Sequence, residues 1–164
     1  MANAPKGLLP DGSPSKALNE YRRKAIARRK DKGQVTPHFN LKEFSTHDGS
    51  YVPTRAWDAI ERLCKDYLEP LRKRFGACRI LSGYRHRKYN RSIRGALHSQ
   101  HIYDETPDSI AADVRFAKGS PTEWMAVAKL LRAKKKKGGG IGVYPITGFV
   151  HIDNRNYNAD WSGR

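Results

Sequence analysis

Cysteine is nearly absent: Cys64 and Cys78 are the two in a chain of 164 residues. That is too few for a disulfide scaffold, and their separation is not that of a zinc-binding pair. Both fall in apolar stretches, so buried free thiols are expected, with a mutual disulfide as the alternative. Long apolar runs are missing as well. No stretch approaches the roughly 20 residues that cross a bilayer, and Met1-Ala2-Asn3-Ala4-Pro5-Lys6-Gly7 lacks the hydrophobic stretch of an export signal. Acidic residues are scarce, 16 against 32 lysines and arginines, for a formal charge of +16. Such an excess suits a polyanionic partner. Yet the chain shows no helix-turn-helix, zinc-finger spacing, aromatic RNA-binding signature or internal repeat. A nucleic-acid-binding module is therefore a candidate supported by charge alone, because any other polyanion would be drawn to the same charge.

The apolar residues that remain are concentrated after residue 37. Residues 1–37 are rich in Pro, Gly, Lys and Arg, with Lys24-Ala25-Ile26-Ala27-Arg28-Arg29-Lys30 their one helical hint, and read as a basic arm. Residues 38–164 read as a single α+β domain, a small antiparallel sheet with helices packed around it. Trp57, Ile60, Leu63, Cys64, Tyr67 and Leu68 recur at the spacing of an amphipathic helix over residues 55–69, extended by Leu71 and Phe75. Ser120-Pro121-Thr122-Glu123 is a capping box with proline at the first helical position, predicting a helix from Pro121 to about Ala133. The lysine run Lys134 to Lys137 reads as its solvated end. Strands are expected at Cys78 to Leu81, Ile110 to Phe116, Ile141 to Tyr144 and Gly148 to Asp153. The last two would form a hairpin that sets His151 beside Gly142 or its neighbours.

Three metal-ligand side chains stand in separate runs: His101 in Ser99-Gln100-His101, Asp113 in Ala111-Ala112-Asp113-Val114, and His151 in Phe149-Val150-His151-Ile152-Asp153. Two imidazoles and a carboxylate form the ligand set of a catalytic zinc site. They leave one position open and a net charge of about +1, enough to acidify water toward neutrality and to polarise a carbonyl. The small and amide side chains before His101 can turn the chain and engage its second ring nitrogen. Alternation puts Phe149, His151 and Asp153 on one strand face and Val150 and Ile152 on the other.

Around these runs lie Ser82-Gly83-Tyr84-Arg85, Asn90, Gly95-Ala96 and Gly140-Ile141-Gly142-Val143-Tyr144, with Phe39-Asn40-Leu41-Lys42-Glu43-Phe44 ahead of them. In order and approximate spacing, from about His38 to Trp161, they resemble the zinc D-alanyl-D-alanine carboxypeptidase and murein endopeptidase family, which includes phage endolysins. The resemblance implies a carboxypeptidase-like, Hedgehog-like fold, a zinc cofactor held by His101, Asp113 and His151, and hydrolysis of peptidoglycan peptide bonds, often ones made by a D-amino acid. It also implies that Arg85 meets substrate carboxylate or carbonyl oxygens, a task suited to a planar fork of donors, and that Ser99 is a substrate-side hydroxyl.

Two departures bear on the site. The family usually has six residues between the first histidine and the aspartate, whereas eleven separate His101 from Asp113, and Asp108 fits the shorter spacing. Asp113 is preferred, because Asp104-Glu105-Thr106-Pro107-Asp108 reads as a polar loop insert. Where many relatives carry a glutamate or histidine as general base, this chain has Gly148 and Ile146. Asp153 is the nearest replacement, either in proton transfer or as a carboxylate that orients an imidazole or Arg85, with His98 as a second choice. The missing glutamate also prompts a third possibility, an inactive relative with a structural or binding role in a virion. With no export signal, a cell-wall enzyme made in the bacterial cytoplasm would be released at lysis or carried on a phage particle. In the second case the basic arm would contact other virion proteins, such as those of a tail. No membrane or nucleic-acid partner is expected.

Overall fold

The computed structural model describes residues 15–20, 30–103, 108–135 and 137–163. The chain divides into two units, Met1–Gln34 and Val35–Arg164. Of the first, residues 16–20 are helical, and apart from Lys30 the helical hint at 24–30 lies outside the described residues. The second unit begins ahead of Pro37, since Val35 and Thr36 are buried within it. No helix among the described residues is long and apolar enough to cross a membrane.

The second unit is α+β. A short ladder, β1 (Gln34–Thr36) with β2 (Phe39–Asn40), leads into a 3-10 turn, Leu41–Phe44. Asn40 and Glu43 close a capping box on that turn, so the Phe39 to Phe44 segment is held by its own polar residues while Phe39 and Phe44 enter the core. The predicted long helix is real but composite. A 3-10 turn, Thr54–Ala56, leads into α1 (Trp57–Leu63), a π-helical stretch (Cys64–Leu68) and α2 (Glu69–Phe75). Pro70 explains the interruption. It has no N–H for the preceding turn and its ring crowds the carbonyl there, and a widened π turn accommodates both.

The main sheet has five strands in the order β3-β4-β6-β5-β7: β3 (Cys78–Ser82), β4 (Ala111–Phe116), β5 (Gly139–Tyr144), β6 (Phe149–Asp153) and β7 (Asn158–Ser162). The first four pair antiparallel, as the strand patterns predict. The unforeseen β7 lies parallel to β5 and makes the sheet mixed. Its Asn-Ala-Asp-Trp-Ser pattern is too polar to announce a strand. A six-residue helix, α3 (Arg87–Ser92), and the long α4 (Pro121–Lys135) complete the unit. The capping box at Ser120 and Glu123 forms as predicted, with both the Ser120 N–H and its hydroxyl donating to Glu123 Oε2 at 2.8 Å.

Helix α4 runs two residues beyond Ala133, and its end is not simply solvated. Lys135 lies over the Tyr67 ring and 3.2 Å from Asp66, and burial pushes its ammonium down to about 8 in spite of that carboxylate. Ile141, Val114, Val150 and Ile152 form the apolar sheet face against Ile60, Leu63, Leu68 and Leu71, all fully buried. Cys64 is buried, Cys78 half-buried, and both are free thiols.

Candidate metal centre

Register brings two of the three candidate ligands together. Asp113 on β4 is the direct cross-strand partner of His151 on β6, and His151 faces Gly142 on its other side. The hairpin therefore does what its sequence pattern predicts, with Val150 and Ile152 turned into the core and His151 toward a cleft. Ser82 stands opposite Asp113 across an irregularity in β3. That break releases the chain as Gly83-Tyr84-Arg85 instead of continuing the ladder. A side chain at Gly83 would overlap the Phe44 backbone, and the Tyr84 N–H donates to Phe44 O at 2.8 Å.

His101 comes from a loop, and the motif residues before it shape that loop. Buried Asn90 donates through Nδ2 to Ala96 O at 2.9 Å, while Gly95 lies so close to the Asn90 amide that any side chain there would collide. The loop then docks on the Arg85 segment. The Arg85 N–H donates to His101 O at 2.9 Å, and His101 Nδ1 donates to Gly83 O at 2.6 Å. The partner of this second ring nitrogen is thus a carbonyl, and neither Ser99 nor Gln100 serves as expected. Ser99 Oγ accepts the His101 N–H at 3.3 Å, and Gln100 accepts the Ser109 hydroxyl.

With Nδ1 occupied, His101 presents the Nε2 lone pair, 3.3 Å from Asp113 Oδ1. His151 is oriented the other way round. Its Nε2–H donates to Asp153 Oδ2 at 3.0 Å, leaving Nδ1 2.8 Å from the same Asp113 Oδ1. One ligand atom from each residue lies within 4.8 Å of the others, and among the described residues these three form the group placed to hold a metal ion. Tetrahedral zinc with bonds of about 2.0–2.1 Å separates neighbouring ligand atoms by about 3.3 Å; His101 Nε2 stands at that spacing from Asp113 Oδ1, and His151 Nδ1, hydrogen-bonded to the same oxygen at 2.8 Å, would open by about half an ångström to share an ion. A carbonyl behind one imidazole and a carboxylate behind the other supply the outer hydrogen bonds such ligands need. Asp108, the rival, is 86% exposed and paired loosely with Arg62 at 3.9 Å. It takes no part, and residues 104–107 of the insert lie outside the described residues.

Electrostatics follow the geometry. Burial would raise the Asp113 carboxyl, but His101 and His151 outweigh it and hold the group well below the usual carboxylate range. Burial dominates at His101 and lowers it, while at His151 the hydrogen bonds to the Asp113 and Asp153 carboxylates overcome burial and raise it. A proton on His151 Nδ1 therefore competes with zinc for that lone pair up to a higher pH than at an ordinary histidine. Zinc affinity is expected to level off at alkaline pH and to fall about tenfold per pH unit once His151 protonates; titrations with a chromophoric chelator between pH 6 and 9 check this, and an affinity flat across that range would contradict it.

Asp153 is 0% exposed. Besides His151, its oxygens accept the Gly140 N–H at 2.9 Å and Arg155 Nε at 2.8 and 3.0 Å. It sits behind the imidazole, on the side away from Asp113, and does not line the cleft. This placement suits the orienting role read for Asp153 better than proton transfer. Its partner in that role is Arg155, which the sequence did not single out. Arg85 does reach the site: Nη2 donates to Asp113 Oδ2 at 3.0 Å and Nε to Ser82 Oγ at 2.9 Å.

The cleft encloses about 440 Å³ and is lined, beside the ligands, by Arg85, His98, Ser99, Tyr144, Phe149 and Trp161. Tyr144 and Phe149 stack at 4.3 Å, and Trp161 rests on His151 at 5.1 Å while its indole N–H donates to Tyr144. A side chain at Gly142 would occupy the indole's place. This aromatic wall depends on β7 and was not foreseen.

A family model described as Peptidase M15 matches residues 37–153, a span that contains His101, Asp113 and His151. No curated protein and no solved structure matches the chain.

Proposed function

This chain belongs to the M15 peptidase family, that of the zinc D-Ala-D-Ala carboxypeptidases, and is a zinc metallopeptidase; from that premise we propose that it cleaves peptide bonds in peptidoglycan stem peptides or cross-links, those made by D-amino acids included. The observation that carries the reading is the convergence of His101 Nε2, Asp113 Oδ1 and His151 Nδ1 in one open cleft with the Arg85 guanidinium beside them.

His101, Asp113 and His151 would hold the zinc, which would supply a Lewis acid for the peptide carbonyl and for activation of water near neutral pH. Ser82 and Asp113 fix the plane of the Arg85 guanidinium, which leaves Nη1 for a substrate carboxylate or carbonyl oxygen. Ser99 accepts a backbone hydrogen bond, so its own hydroxyl hydrogen is available to the substrate. Gly148 and Ile146 leave the usual base positions empty of titratable groups, Ile146 being fully out in solvent at 83% exposure. Among the described residues lining the cleft, His98 is the remaining imidazole, and we assign it the proton shuttle between water and the leaving amine. His98→Ala is expected to lower kcat about 10²-fold with zinc content unchanged; an unaltered kcat would remove His98 from the mechanism.

Purified zinc-loaded protein incubated with murein should release fragments with new amine ends. Zinc retained without cleavage would mark a retired site, and salt-sensitive DNA binding without cleavage would favour the nucleic-acid module. We further place the protein in a phage, as a lysin or particle-borne peptidase whose arm contacts other virion proteins. The resemblance to a family that includes phage endolysins supports this placement, and absence of the protein from purified particles would rule out the particle-borne form.

A further inference from the structure

Of the other surface hollows among the described residues, two share walls in series with the metal cleft. Gln100 and Arg155 line both the metal cleft and a second hollow, and Asn156 and Tyr157 line both the second and a third, which ends on Lys129 and Lys137. Their volumes, about 440, 450 and 500 Å³, each fall in the range of ligand sites, ~300–1,000 Å³.

The walls are held by specific contacts. Arg155, fixed on Asp153 and over the Trp161 ring, donates to Tyr157 OH at 3.2 Å. Gly139 N–H donates to Tyr157 O, and the connection after α4 rests on the Asn156–Tyr157 backbone so closely that a side chain at Gly138 would overlap it. Tyr157 itself is 57% exposed at the junction of the second and third hollows. An exposed, rigidly mounted aromatic ring offers a stacking face for a sugar ring or an apolar side chain.

Charge marks the far end. Arg132 is committed to Gly139 O and, by two hydrogen bonds, to Asp160, and Lys129 shares that carboxylate at 3.2 Å. Three cations, Lys129, Arg132 and Lys137, thus border the third hollow against one neighbouring acid, and no carboxylate lines it. The second hollow carries Asp108 on its wall, so the surplus is specific to the end remote from the metal centre.

We propose that the three hollows form one extended substrate site: the scissile bond lies at the metal centre, the polymer passes over Tyr157, and an anionic group of the same polymer, a carboxylate or a phosphate, seats between Lys129 and Lys137. This deepens the peptidoglycan reading and rests on it. An enzyme built this way grips its substrate well away from the bond it cuts and works better on polymer than on a short stem peptide.

The test compares the zinc-loaded full chain with the double variant Lys129→Glu/Lys137→Glu, with Tyr157→Ala, and with Lys42→Glu/Lys118→Glu, an equal change of charge at residues that line none of the three hollows. Cosedimentation with murein sacculi, before and after removal of phosphate polymers, and hydrolysis of sacculi against a short stem peptide are measured. The Lys129/Lys137 pair is expected to weaken sacculus binding about tenfold and to raise KM for sacculi, with zinc content retained. Tyr157→Ala, which changes no charge and covers the case of a misfolded double variant, is expected to weaken binding severalfold. A loss that persists on stripped sacculi identifies a peptide carboxylate, and one confined to unstripped sacculi identifies a phosphate; either supports the site. Binding by the Lys129/Lys137 and Tyr157 variants equal to that of the control pair would overturn it. Lysine-dependent binding without cleavage would sink the hydrolase reading and leave the extended site standing, whereas cleavage indifferent to these residues would do the reverse.

Discussion

Asp113→Ala is expected to strip zinc from the protein and to lower hydrolysis by about 10³-fold or more, while Asp108→Ala leaves both within about twofold. Asp113 Oδ1 is the atom shared by the other two ligands, 3.3 Å from His101 Nε2 and 2.8 Å from His151 Nδ1, and its second oxygen holds Arg85. Removing it costs the metal a ligand, takes away the negative charge that offsets a divalent ion, and leaves Arg85 beside two imidazoles. Asp108 is in solvent with a distant partner. Zinc per chain after dialysis and turnover on murein separate the two variants. Zinc lost from the Asp108 variant alone would reverse the assignment.

Asp153→Ala is expected to destabilise the fold by about 3–5 kcal/mol, toward the lower end because Arg155 can turn to the cleft for solvent, and to weaken zinc binding about 10- to 100-fold. Asp153 is fully buried, and its removal leaves Arg155 and the Gly140 N–H without their acceptor and frees the His151 ring to rotate. Its burial would raise the carboxyl, but His151 and Arg155 hold it well below the ordinary range. The stabilisation is therefore complete above about pH 4, where an unfolded aspartate is ionised, and fades as pH falls further. Asp153→Asn keeps the shape and loses the charge. If Asp153 only orients His151, this variant loses zinc affinity yet retains most of its kcat at saturating zinc. Denaturant unfolding and zinc titration give the first two quantities, and a kcat that collapses with zinc bound would restore a proton-transfer role.

The ligand-bearing strands were legible because alternation is a local property. Val150 and Ile152 had to face the core, which sent His151 and Asp113 to the opposite side once register paired them. Gly95 and Asn90 were legible as motif residues, but their work, shaping the loop to His101, shows only when the amide is seen against the glycine. The π turn ahead of Pro70 left a trace in the proline itself, which periodicity alone passes over. Trp161 and Arg155 left little. Each acts through a contact set by the parallel pairing of β7 on β5 or by the chain's turn after β6, and nothing in a short polar stretch forecasts such pairing. Asp153 shows the opposite limit. Its strand face was read correctly, yet facing the same way as His151 left it behind the ring, because Arg155 and Gly140 hold it there.

Zinc absorption spectroscopy on the purified full chain tests the central claim most directly. One zinc per chain is predicted, bound by nitrogen and oxygen at about 2.0–2.1 Å with the multiple-scattering signature of two imidazoles, and lost in Asp113→Ala. A spectrum dominated by sulfur at about 2.3 Å, placing the ion on Cys64 or Cys78, or a protein that hydrolyses murein undiminished after chelation, would contradict it.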